Sequence, residues 1–258
     1  MDSVNKTMYI PLYGKAFVSR KGIILHDPAA ERIWDEEGFP LKGKSRSKWL
    51  AYYMGMRSAV FDRWVKARME EDRDAVVVQI GCGMDSRAER INVPERLWFD
   101  VDFPEVIAQR KRYYRETEAY QMIGGDAKSP EWLSRIPGGK AIVVMEGVSM
   151  YLSPEELKET LGQISSHFQQ VRLLMDCYTQ LAARASRMRN PVNDVGVTRV
   201  YGMDDPHFPV QEGVEFLREL EMTPEDLISQ LHGMEKGIFR FLYAGSVAKK
   251  MYRLYEYG

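Results

Sequence analysis

The spacing of apolar residues changes character along the chain, and each change marks a new kind of element. Over residues 45–70, Trp49, Tyr52, Tyr53, Met56, Ala59, Val60 and Trp64 recur at helical spacing and keep one face apolar, which predicts a helix. Upstream, Asp27-Pro28-Ala29-Ala30-Glu31-Arg32-Ile33-Trp34 joins a capping residue to a proline at the first helical position and then to helix formers. A helical segment is therefore expected over about the first 70 residues. The pattern then becomes Ala75-Val76-Val77-Val78-Gln79-Ile80, a short β-branched run ended by Gly81, as in a strand buried on both faces. Comparable runs predict strands over 97–102, 119–124 and 141–145, and one ending at Leu173-Leu174-Met175-Asp176. Between the last two, Ser153 caps, Pro154 opens a helix and Glu156 closes a capping box, with Leu157, Leu161, Ile164 and Phe168 as the buried stripe. Strands and helices alternating with connections too long for hairpins predict a doubly wound, mostly parallel α/β sheet.

Beyond Asp176 the signals are sparser. Residues 181–189 read as a helix, and the Asn-Pro, Asn-Asp, Asp-Asp-Pro and Phe-Pro punctuation over 190–209 as a long loop of the kind that covers a site. A helix is expected to start near Gly213 and another at Thr223-Pro224-Glu225-Asp226, and 250–257 alternates like a last strand. The organisation expected is one domain over 1–258: a helical cap over 1–70, a sheet core over 71–177, and a substrate lid with closing strands over 178–258.

Composition narrows the function. With 45% hydrophobic and 28% charged residues, the 258-residue chain resembles ordinary globular proteins and can bury a core. Lys and Arg number 36 against 37 Asp and Glu, a net charge of −1, which argues against binding nucleic acid by bulk charge. Apolar stretches fall well short of the roughly 20 residues that span a bilayer, and Met1-Asp2-Ser3-Val4-Asn5-Lys6 lacks the pattern of a secretory signal. Two cysteines, Cys82 and Cys177, and histidines scattered at 26, 167, 207 and 232 make neither a disulfide framework nor a zinc site. A reduced, cytoplasmic, metal-free protein without a nucleic-acid or membrane partner is expected. The 15 methionines read as core packing.

The chemistry concentrates at strand ends. Val78-Gln79-Ile80-Gly81-Cys82-Gly83-Met84-Asp85-Ser86-Arg87 runs from a buried strand through a Gly-x-Gly turn into a helix, where glycines let backbone approach a nucleotide closely. Ser86 stands where a dinucleotide fingerprint has its third glycine, and a tight turn without a ligand is the plainer alternative. Asp102 lies 19 residues beyond Gly83, where an acid at the end of the next strand reaches a ribose diol. Asp100 competes for that role, and the loser of the two is expected to be a helix cap or a solvated residue. In Gly124-Gly125-Asp126-Ala127 an acid follows the third strand, placed either for an adenine amino group or simply for a turn. Glu146 directly follows five apolar residues at the end of the fourth strand, where the ligand crevices of such sheets open.

These segments, together with Trp98-Phe99-Asp100-Val101-Asp102-Phe103-Pro104-Glu105-Val106 and Glu146-Gly147-Val148-Ser149-Met150-Tyr151-Leu152, resemble the leucine carboxyl methyltransferase family, which includes polyketide O-methyltransferases of the tetracenomycin type. The resemblance is strongest over 75–155, moderate over 9–62 and thin beyond 177. It implies a Rossmann-like methyltransferase fold and S-adenosylmethionine as cofactor. By position it implies that Gly81 and Gly83 pack on the cofactor, Asp102 holds its ribose, Asp126 with Ala127 its adenine, and Glu146 its methionine part. It further implies that Lys15 and Arg57 hold the cofactor's carboxylate, Lys15 standing where family members often have arginine. By residue type alone both cations belong at the surface.

Methyl transfer from a sulfonium is an in-line displacement that needs alignment more than catalytic side chains. A carboxylate acceptor is already deprotonated, whereas a hydroxyl gains from a base. No catalytic residue is assigned. His207 is the candidate base, with a solvated loop histidine as the alternative; Arg199 and Tyr201 are candidates for an acidic or aromatic acceptor, and Tyr151 stands beside them on the substrate side. The function expected is O-methylation of a carboxyl or hydroxyl group on a small, polyketide-like acceptor, by a homodimer. The alternatives are a methyltransferase for a protein's C-terminal carboxylate, a cofactor-binding protein without transferase activity, and a nicotinamide dehydrogenase. The missing third glycine, with Asp126 and Glu146, counts against the last.

Overall fold

The β-branched runs of the sequence lie side by side in the computed structural model, which describes residues 6–186, 199–245, 248 and 250–258. Strands β1 (Val76–Ile80), β2 (Trp98–Asp102), β3 (Tyr120–Gly124), β4 (Lys140–Met145), β5 (Gln170–Tyr178), β6 (Phe216–Glu219) and β7 (Tyr252–Tyr257) form one seven-stranded sheet in the order β3-β2-β1-β4-β5-β7-β6. The first five pair in parallel, with Val78 beside Phe99 on one side and Val143 on the other. β7 runs antiparallel to β5, and β6 antiparallel to β7. This is the doubly wound, Rossmann-like sheet that the sequence predicts. Its strand order reverses between β1 and β4, which leaves a crevice at their C-terminal ends.

Every residue of β1 is buried, because helices cover both faces. On one face Tyr52, Met56, Phe61 and Trp64 pack with Val77, Ile142, Val144 and Leu174. On the other, Leu157, Leu161, Ile164 and Phe168 pack with Val78, Val143 and Leu173. The N-terminal segment forms α1 (Tyr9–Arg20), α2 (Pro28–Glu37) and α3 (Lys48–Glu71). Asp27 caps α2 by accepting the Ala30 N–H at 2.8 Å. For α3 a single apolar face proves too narrow an expectation, since residues 54–62 are buried without a break. α1 packs along α3 closely enough that a Cβ on Gly14 would lie 2.7 Å from the Met54 Cβ, and one on Gly55 2.8 Å from Val18.

The remaining helices are α4 (Arg87–Ile91), α5 (Pro104–Arg110), α6 (Pro154–His167), α7 (Gln180–Ser186), α8 (Glu225–Ile228) and α9 (Gly233–Tyr243). Here the structure corrects two expectations and adds a helix that the sequence did not predict. No helix starts near Gly213: residues 216–219 form β6 instead, because β7 offers an unpaired edge and Phe216 packs against the rings of Tyr255 and Tyr257. The helix at Thr223 is only four residues long and begins one residue later than its proline suggests, with Pro224 outside it. α9 starts at Gly233 without a side-chain cap, so the usual start signal is missing. Of the expected 181–189 helix, residues 187–189 lie outside the described residues, as do 190–198 of the expected loop and the first five residues of the chain. Among the described residues no helix is long and apolar enough to cross a membrane.

The predicted capping box of α6 is formed, with Ser153 Oγ accepting from Glu156 N at 3.2 Å and the Glu156 carboxylate from Ser153 N at 2.7 Å. Ser153→Ala is expected to lower stability by about 1 kcal/mol. Urea denaturation checks this, as a lower midpoint at unchanged slope.

Candidate active site

A cavity of about 500 Å³ opens at the C-terminal ends of the parallel strands, and Lys15, Arg57, Gly81, Gly83, Asp102, Asp126, Ala127, Glu146 and Tyr151 all line it. The turn after β1 makes its floor. Gly81 has φ +67°, and a Cβ there would come within 2.3 Å of Val148, so the loop after β4 demands a glycine at this point. Gly83 N donates to Asp102 Oδ2 at 2.7 Å, and Phe103 N to Oδ1 at 2.8 Å. Each carboxylate oxygen accepts one backbone bond and has lone pairs to spare. Burial pushes the Asp102 carboxyl up to about 6, with those two N–H groups opposing it. Asp100 is neither a helix cap nor solvated, contrary to expectation. It is buried in an ion pair with Arg110, and it accepts from Tyr120 at 2.6 Å and Trp98 Nε1 at 2.9 Å. The competition between the two acids thus resolves in space, since of the pair only Asp102 reaches the cavity.

For Asp126 the two readings coexist: it lines the cavity, and its Oδ1 also accepts the Lys128 N–H at 3.0 Å to hold the turn. The Ala127 carbonyl accepts from Thr160 at 3.1 Å, which ties this loop to α6.

Glu146 ends β4 among cations. Its Oε1 accepts from Arg57 Nε at 2.9 Å and Ser58 Oγ at 2.8 Å, and its Oε2 from Arg87. Burial alone would raise this carboxyl, but the guanidinium groups of Arg87 and Arg57 outweigh it and hold it at about 2. Arg57 also donates through Nη1 to Asp176 and to the Tyr252 hydroxyl, both at 3.0 Å, and its Nη2 makes no hydrogen bond among the described residues. Lys15 donates to Asp85 at 2.7 Å. Far from being surface charges, Lys15 and Arg57 are 3% and 5% exposed, because other elements bring carboxylates to them.

Behind these residues lies a network whose composition alone does not show it. Asp85 pairs with Arg87 at 3.2 Å and Arg90 at 2.8 Å. Both arginines reach Asp62 of α3, at 2.7 and 2.8 Å, and Arg90 reaches Asp27 at 2.8 Å. The sequence offers only a slight signal for this, two arginines three apart at the start of a short helix.

The substrate-side candidates divide. Tyr151 lines the cavity, and so do Tyr53, Tyr178, Tyr243 and Tyr252. Tyr252 stands 4.9 Å from the Tyr178 ring and 6.1 Å from Tyr53, which in turn stands 6.3 Å from Tyr243. Arg199, Tyr201 and His207 do not line this cavity. Tyr201 borders a separate cavity of about 170 Å³, with the Arg199 guanidinium 4.9 Å over its ring. His207 is exposed and packs against Phe216 at 5.1 Å. None of the chain's four histidines lines the main cavity.

The donor set suits a ligand that combines a diol, an amino group and a carboxylate. Comparison with known proteins agrees. The model of the leucine carboxyl methyltransferase family matches residues 8–165. A tetracenomycin polyketide synthesis O-methyltransferase of Streptomyces glaucescens is 26% identical over 243 residues, covering 92% of this chain and 90% of that protein. An S-adenosyl-L-methionine-dependent methyltransferase of Gibberella zeae is 25% identical over 179 residues, covering 63% of this chain and 60% of that protein. Among solved structures, a protein of the DUF574 family from Streptomyces avermitilis superposes with a TM-score of 0.57 at 13% identity, over 88% of each chain. Magnesium protoporphyrin IX methyltransferase of Synechocystis, with SAH bound, superposes at 0.51 and 12% identity over 88% of this chain and 92% of that one, a likeness of fold. The chain belongs to the leucine carboxyl methyltransferase family and is a methyltransferase whose cofactor is S-adenosyl-L-methionine.

Proposed function

We propose that this protein methylates an oxygen of a small, polyketide-like acceptor, and that the oxygen belongs to a carboxylate in preference to a hydroxyl. The observation that carries this reading is the convergence of eight cofactor-side residues on one cavity whose remaining wall is tyrosine-rich and without histidine. A relative named for tetracenomycin polyketide synthesis supports the acceptor class.

On this reading Asp102 accepts the ribose hydroxyls, Asp126 beside Ala127 accepts the adenine amino group, and the Gly81–Gly83 turn lies against the nucleoside. Glu146 faces the amino group of the methionine part, while Arg57 and Lys15 bind its carboxylate. When bound, the cofactor supplies a methyl group on a sulfonium that leaves readily. The chain's part is to hold an acceptor oxygen in line with that methyl and to keep water away. Burial raises the Tyr151 phenol, so it stays neutral and donates hydrogen bonds rather than abstracting protons. Neutral donors suit an acceptor oxygen that arrives already anionic. In this arrangement 1–70 acts as a cap, 71–177 as the cofactor core and 178–258 as the acceptor cover of one domain.

Calorimetric titration with S-adenosylmethionine, S-adenosylhomocysteine and NAD tests the site, with binding of the adenosyl ligands alone as the expected result. Asp102→Asn and Glu146→Gln are each expected to weaken binding by roughly tenfold to a hundredfold, the range for hydrogen bonds to charged groups. Unchanged affinity in both would sink the residue assignment. A labelled methyl recovered as a base-labile ester supports the carboxylate acceptor, and a stable ether the hydroxyl.

A pH dependence follows from the same carboxylate. Asp102 binds the diol when ionised, so affinity is expected to be flat above pH about 6 and to fall below it as the proton is taken up. Glu146, held at about 2, stays charged throughout and adds nothing to this change. Calorimetry between pH 5 and 8 checks it, and Asp102→Asn should flatten the profile.

A further inference from the structure

Both faces of the Gly83 residue are pinned. Its N–H goes to Asp102 at 2.7 Å, and its carbonyl accepts from Arg110 Nη1 at 2.9 Å. With φ at +49°, Gly83 has a backbone setting that many alternatives compete with, and these two bonds select it. The Met84 carbonyl that follows accepts from the Tyr114 hydroxyl at 3.2 Å. Arg110 itself is 1% exposed, a costly place for a guanidinium unless every side of it is matched. The structure matches it with the Asp100 carboxylate, the Tyr120 hydroxyl at 3.0 Å from Nη2, and the Tyr114 ring 4.2 Å below. Among the described residues its sole backbone target is the Gly83 carbonyl.

We propose that Arg110, anchored by Asp100, is a positioning residue for the cofactor: it holds the Gly83 turn and the neighbouring Asp102 carboxylate in the arrangement that receives the ribose. The inference rests on the cofactor reading of this cavity and concerns residues that do not line it. Electrostatics give it a signature. Besides burial and the Gly83 and Phe103 N–H groups, the charges that act most on Asp102 include the Arg110 cation, which favours its ionised form, and the Asp100 anion, which opposes it. Arg110 in turn faces Asp100, Tyr120, Tyr114 and Cys82, and burial keeps the last three protonated across neutral pH. Removing the cation and removing the anion must therefore move the ionisation of Asp102 in opposite directions, which a purely structural role does not require.

The test measures S-adenosylhomocysteine affinity against pH for the full chain and for Arg110→Met, Arg110→Lys and Asp100→Asn. Arg110→Met is expected to weaken binding about tenfold at pH 8 and to raise the midpoint of the pH profile. Asp100→Asn is expected to lower that midpoint, and Arg110→Lys to keep it near the wild-type value with intermediate affinity. Equal losses of affinity with unmoved midpoints overturn the proposal. Should Arg110→Met not fold, an unmoved midpoint in Asp100→Asn is sufficient to overturn it. A wild type that binds no adenosyl ligand overturns the cofactor reading and this inference together, whereas a wild type that binds with insensitive variants overturns this inference alone.

Discussion

Nine buried charges meet beneath the glycine turn, and the placement of the elements around the cavity depends on them. Lys15 comes from α1, Asp27 from the cap of α2, Arg57 and Asp62 from α3, Asp85 from the turn, Arg87 and Arg90 from α4, Glu146 from the end of β4 and Asp176 from β5. Burying any one of them alone costs several kcal/mol, so each is tolerable only while its partners are in place. A shift of one element strands charges on several others. That mutual dependence makes the network a specification of geometry more than a source of net stability. Anions exceed cations by one, and burial raises Asp176, against the Arg57 cation and the Tyr252 hydroxyl that donates to it.

The network also divides the work between two carboxylates of the cavity. Glu146 is neutralised by Arg57 and Arg87 and remains an anion at any physiological pH. Among the described residues Asp102 meets backbone N–H groups and no directly bonded cation, so its charge is incompletely compensated until a ligand brings donors. The first is a fixed part of the scaffold that also faces the ligand. The second lines the cavity with lone pairs to spare, which is what the proposed reading asks of a partner for hydroxyl groups. Similar side chains acquire different roles because α3 and α4 bring arginines to one and the glycine turn brings amides to the other.

The tyrosine-lined end of the cavity is built differently. Tyr53 comes from α3, Tyr178 from β5, Tyr243 from α9 and Tyr252 from β7, and the last three lie beyond residue 165, where the family match ends. Three of these four tyrosines thus come from the part of the chain beyond the family match. Rings in mutual contact give a stiff, largely apolar wall at low entropic cost.

Local pattern was enough to place the parallel strands, the α6 capping box, the glycine turn and the acids at the strand ends, because buried runs, caps and positive-φ glycines are determined by residues close in sequence. Asp102, Asp126 and Glu146 converge on the cavity for the same reason: each follows or ends a strand of a repeating strand-turn-helix unit, whereas Lys15 and Arg57, which residue type alone would put at the surface, reach it from within α1 and α3. β6 and α9 were not legible, since β6 exists only where β7 offers an edge and α9 carries no cap signal. Nor were the partners of the charges. Asp62 and Arg87 stand 25 residues apart, Arg57 and Asp176 stand 119 apart, and Arg110 meets the Gly83 carbonyl across 27. A sequence shows which side chains carry charge, but burial and pairing are properties of the assembled sheet and helices, and these alone decided which charges became scaffold and which face the ligand.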